Sequence, residues 1–189
     1  MKSRWTLTLF AVVATVHLAV PAGMIVKREI TLRHGRAYLF RTKPVDPYDA
    51  FRGRYVWLGF EQDHGPWHAD QQTVHKNKAY AVLEVAPDGF AVVREVKPQP
   101  PVTGEYLEVR VNRWGWGTDS GTVYFTMPFD RYYMEETKAP AAERAYWERN
   151  RRGQTNQNTY AVVRIRNGES VLENLYVDGQ PIAEFVRTH

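Results

Sequence analysis

From Trp5 to Val26 the chain is apolar and contains no Asp, Glu, Lys or Arg; beyond Lys27 it breaks into short runs that alternate apolar and polar residues. The first block predicts a helix. Its 22 residues at about 1.5 Å each span roughly 33 Å, enough to cross a hydrocarbon core. The second block predicts strands. Ile30 and Leu32 alternate, His34-Gly35 turns, and Tyr38 and Phe40 alternate back, so a hairpin is expected over 28–42. In the next run Val56, Leu58 and Phe60 share one face and Tyr55, Trp57 and Gly59 the other. The first face suits a core, and Tyr55 and Trp57 are expected to be partly exposed or covered by a loop. The polar stretch 62–78 has no period and predicts a loop.

A second hairpin is expected from Ala79–Val85 and Phe90–Val96 around the turn signal Pro87-Asp88-Gly89. Tyr106–Val111 alternates as a strand, Trp114-Gly115-Trp116-Gly117 predicts a loop, and Thr122–Phe129 another strand. Pro140 and the alanines after it predict a helix over 137–150. Asn167-Gly168 joins a last hairpin, Tyr160–Ile165 with Val171–Val177, and the tail from Gln180 suits an edge strand. The expected fold is mainly β, built of antiparallel hairpins in a sandwich- or barrel-like arrangement, with one soluble α-helix and a preceding N-terminal transmembrane helix. The domains are an anchor at 1–27 and one β-rich unit at 28–189.

The apolar segment has a second reading. Ala19, Ala22 and Gly23 offer a processing site for a signal peptide. The apolar run continues through Met24-Ile25-Val26, and that length favours an uncleaved anchor. His17 and Pro21 are its two polar or helix-disturbing residues, and His17 reads as tolerated rather than functional. Lys27, Arg28, Arg33 and Arg36 outnumber Lys2 and Arg4, which by loop charge puts the domain in the cytoplasm. A short basic N-tail is easily retained inside, which favours the periplasmic or extracytoplasmic side.

Composition narrows the function classes. The 189 residues carry a formal net charge of +4, 13% aromatics and no cysteine. The charge is too small and scattered for nucleic acid, and it suits an anionic lipid surface beside the anchor. The absence of cysteine excludes disulfides, thiolate catalysis and sulfur-based zinc sites.

The segment Gly53-Arg54-Tyr55-Val56-Trp57-Leu58-Gly59-Phe60 resembles the signature of the GDYXXLXY family of small membrane-anchored bacterial proteins. Gly53, Tyr55 and Leu58 match; Arg54 replaces an acidic residue and Phe60 a tyrosine. The resemblance extends to the apolar segment with its exit Gly23–Glu29, to Pro44–Pro47, to Met127–Met134 and to Gly168–Gly179. It implies a single-pass protein with an outward-facing domain and no established activity. The change at Arg54 removes the family's acidic side chain as a metal ligand or base.

Glu61, Asp63, His64, His68, Asp70 and His75 are the sharpest candidate chemistry. His64, His68 and His75 are proper metal ligands, but Gly65-Pro66 breaks the helix that would align the first two. A solvated polar loop is the plainer reading. The serines Ser3, Ser120 and Ser170 are poorly placed for nucleophilic catalysis. Arg52 and Arg54 flank Gly53, and Arg131-Tyr132-Tyr133 combines a cation with aromatics. The expected function is a non-enzymatic, membrane-anchored accessory or interaction protein of the envelope. It would meet the bilayer through 5–26 and an envelope or membrane-protein partner through Arg52, Gly53, Arg54, Tyr55, Trp57, Trp114 and Trp116. No cofactor is expected. The alternative is an envelope hydrolase or metal-binding protein using Glu61–His75.

Overall fold

The computed structural model describes residues 2–43, 55–68, 77–115, 121–135, 137–149 and 158–188. Helix α1 (Lys2–His34) is followed by β1 (Arg36–Lys43), β2 (Tyr55–Trp57), β3 (Gly59–Phe60), β4 (His64–Pro66), β5 (Lys78–Val85), β6 (Ala91–Lys97), β7 (Tyr106–Trp114), β8 (Thr122–Thr126) and β9 (Arg131–Tyr133). Then come α2 (Ala139–Arg149), β10 (Thr159–Arg166), β11 (Glu169–Val177), β12 (Gln180–Pro181) and α3 (Ile182–Thr188). The fold is mostly antiparallel β, as expected.

One sheet runs β12-β11-β10-β1-β3, a second β4-β8-β7-β5-β6, and β2 pairs with β9 as a separate ribbon. The second sheet curls until its two edges meet at a bridge between Trp67 and Val96. That closure needs Gly65: a Cβ there would lie 2.7 Å from Val93 Cγ1. A further bridge, Leu107 to Gly168, ties β7 to the tip of the β10–β11 hairpin. The arrangement is a nearly closed, barrel-like core. Asn167 and Gly168 both have positive φ, 51° and 81°, as a two-residue type I′ turn requires. A core of Phe40, Phe60, Phe125, Leu107, Val163, Ile165 and Leu175 is buried between the layers. Phe129 meets Phe40 at 5.3 Å and Phe60 at 5.1 Å between ring centres.

Four expectations are corrected. The hairpin over 28–42 is absent, because α1 runs on through Ile30 and Leu32 to His34. Its last turns are held by an Arg33–Glu29 pair at 2.5 Å and by burial of Thr31. Lys27 Nζ also reaches Glu169 Oε1 at 2.5 Å, docking α1 on the hairpin. Within the stretch read as a loop, His64–Pro66 forms β4 on β8. Trp114 ends strand β7 rather than lying in a loop. The tail adds the expected edge strand on β11, two residues long, but then turns into α3, a second helix beyond α1 where one was expected, because Ile182 and Phe185 bury against the domain.

The segment Trp5–His34 has a mean hydropathy of 2.2 in its apolar window and is long and apolar enough to cross a membrane. His17 Nδ1 is 2.9 Å from the Val13 carbonyl one turn back, so its polar ring is satisfied within the helix. Helix α2 buries Ala139, Ala142 and Tyr146 on one stripe. The Tyr146 hydroxyl donates to the Lys43 carbonyl at 3.1 Å.

Candidate functional site

The motif strand splits at Leu58. Gly59–Phe60 pairs with β1, while Tyr55–Trp57 leaves that sheet to pair with β9. The Leu58 N–H donates to the Asp130 carbonyl at 2.8 Å, which fixes the split. Across the ribbon Tyr55 faces Tyr133, Val56 faces Tyr132, and Trp57 faces Arg131. Strand alternation sorts these pairs. Val56 is fully buried, and Tyr132 is half-buried with its hydroxyl on Asn174 Oδ1 at 3.0 Å. Tyr55, Trp57, Arg131 and Tyr133 share the outward face.

On that face the Arg131 guanidinium carbon lies 5.3 Å from the Tyr55 ring centre and 5.1 Å from that of Trp57. Tyr55 meets Tyr133 at 5.6 Å, edge to face, and Trp57 at 6.3 Å. These are cation–π and aromatic-pair distances. Trp57 is 41% exposed and Tyr133 66%. A hydrogen bond with Tyr133 and the Asp130 carboxylate push the Arg131 pKa further up, so its charge is permanent. The face is a preassembled cluster of three rings around one cation.

Tyr55 and Trp57 therefore stand where the alternation places them. Trp114 has a different neighbour: it meets Trp67 at 5.2 Å, edge to face, at the end of β7. Arg52, Gly53, Arg54 and Trp116 lie outside the described residues. Arg131 and Tyr133 complete the cluster, although neither is among the residues singled out for partner binding. Their signal in the sequence is a cation and a tyrosine two positions apart in a short strand.

The histidine segment is less concentrated. His64 stacks on Tyr124 at 5.3 Å, and its Nδ1 is 2.9 Å from Asp63 Oδ1. Lys43 holds the other Asp63 oxygen. Burial pushes the Asp63 carboxyl up, but the hydrogen bonds from Lys43 and His64 outweigh it and hold the pKa below its usual value. Glu61 and His68 are exposed. Asp70 and His75 lie outside the described residues. Among the described residues no group of three or more His, Asp or Glu side chains is placed to hold a metal ion.

No curated protein and no solved structure matches the chain. A family model described as GDYXXLXY protein matches residues 17–175, which includes the split motif strand, the β9 ribbon and most of β11. By that match, this chain belongs to the GDYXXLXY protein family.

Proposed function

We propose that the chain is a membrane-anchored accessory protein of the bacterial envelope. In this reading α1 anchors it in the inner membrane, the barrel-like domain stands on the periplasmic side, and the outward face of β2–β9 docks a membrane or envelope protein. The observation that carries the proposal is Arg131 seated beside both Tyr55 and Trp57, with Trp57 and Tyr133 left open to solvent. Tyr, Trp and Arg are the residue types that dominate interface energetics when water is excluded around them. Covering the cluster raises each cation–π contact from about 0.5–1 kcal/mol to about 2 kcal/mol. The complementary partner segment is aromatic or carboxylate-bearing. A hydrolytic or metal-binding role for Glu61–His75 has less support, because Asp63 is already engaged by Lys43 and His64.

The test is a crosslinking pull-down of the full chain from native membranes beside a Tyr55→Ala/Trp57→Ala variant. The proposal expects one defined partner that the folded variant no longer captures. Equal capture by both proteins removes the motif face from consideration.

A further inference from the structure

A cleft of about 430 Å³ opens where α1 and the β10–β11 hairpin meet β9. Arg28 stands on one wall, Asp130, Arg131 and Tyr133 on a second, and Ser170 and Glu173 on a third. Arg28 follows Val26 by two residues, about 3 Å along a helix axis. With Trp5–Val26 in the hydrocarbon core, the cleft lies in the headgroup layer, roughly 5–7 Å thick on each side. Its carboxylates are already engaged. Glu173 is gripped by Arg164 at 2.6 and 3.2 Å, and Asp130 lies 3.7 Å from Arg131. Arg28 is exposed and has no ion pair among the described residues. Tyr133 brings an amphipathic ring to the level where tyrosines sit in membrane proteins.

We propose that this cleft holds the headgroup of an anionic phospholipid, with Arg28 as the cation that meets its phosphate and Arg131, beside Asp130, on the opposite wall. Guanidinium forks match phosphate oxygens better than any other side chain. With Asp130 beside Arg131 and Glu173 held by Arg164, Arg28 is the lining charge left without an ion pair among the described residues, and phosphatidylglycerol brings it an anion with no ammonium group of its own. The site rests on the membrane anchoring proposed above but not on the protein partner.

The test uses the full chain in mild detergent with equal phosphatidylglycerol and phosphatidylcholine, with retained lipid read by native mass spectrometry. Phosphatidylglycerol is expected to be retained preferentially. Arg28→Gln should lower that preference about fivefold, the equivalent of about 1 kcal/mol for one basic residue at a charged surface. Arg33→Gln, which removes a cation paired with Glu29, should leave it unchanged. Equal retention of the two lipids overturns the proposal, as does equal loss in both variants or displacement of the lipid by millimolar inorganic phosphate. Carbonate extraction separates the two ideas. A chain that washes off the membrane refutes the anchoring and the cleft together; one that stays but shows no lipid preference refutes the cleft alone.

Discussion

Arg131 sits directly across the β2–β9 ladder from Trp57, its guanidinium carbon 5.1 Å from the ring centre. The pairing turns a short ribbon into a defined surface. Val56, between the two motif aromatics, is anchored in the core, so the outer rings are held on a rigid base rather than on a loop.

Arg131 and Trp57 should be energetically coupled before any partner binds. In a double-mutant cycle on the full chain, unfolding should give a coupling of about 0.5–1 kcal/mol between Trp57→Ala and Arg131→Ala. Each single variant should remain folded, because both side chains are exposed. A coupling of zero means that the ring and the cation do not interact in solution.

Tyr146 joins α2 to the end of β1 through its hydroxyl. Burial pushes its pKa up to about 12. The folded pKa is above the unfolded value near 10, so the neutral phenol favours the fold. That contribution is full below about pH 10 and is lost as pH rises towards 12. Tyr146→Phe should cost about 1 kcal/mol near neutral pH and remove this alkaline component. Denaturant unfolding over the alkaline range, with tyrosinate absorbance as the second probe, checks both effects.

The closure of the second sheet should be sensitive to one methyl group. Gly65→Ala places a Cβ against Val93, and overpacking of this kind costs about 1–3 kcal/mol. Combining it with Val93→Ala should recover part of the loss. A fully stable Gly65→Ala protein means that β4 does not approach β6 as closely as described.

The Lys43–Asp63 pair makes the opposite pH prediction from Tyr146. The Asp63 pKa is held below its unfolded value, so the pair's contribution is complete above about pH 4 and is lost as pH falls through the depressed pKa. Both side chains are partly exposed, which limits the effect to about 0.2–1 kcal/mol. Asp63→Asn should flatten the acid limb of the stability profile by that amount.

The turns were the most legible part of the fold. Pro87-Asp88-Gly89 joins β5 to β6, with Ala86 and Phe90 closing the loop at 2.8 Å, and Asn167-Gly168 joins β10 to β11. Local backbone chemistry determines both. Strand alternation also placed Val56, Leu58 and Phe60 inward. Ile30 and Leu32 suit a strand as well as a helix, because two apolar residues cannot distinguish a strand from a helix that continues out of an apolar run. β4 was invisible because only three residues pair, and its place depends on the curl of a distant sheet. The outward cluster was half legible for the same reason. Tyr55 and Trp57 announce themselves locally, but their partners Arg131 and Tyr133 arrive through a pairing more than seventy residues away in the chain.

The central claim is tested most directly by site-specific photo-crosslinking in living cells. A benzophenone amino acid replaces Tyr133 in one protein and the exposed Val85 of β5 in another. The account predicts a discrete crosslinked protein band from position 133, absent from position 85 and abolished by Trp57→Ala. Bands of equal strength from both positions, or none from position 133 in a folded, membrane-inserted protein, contradict it.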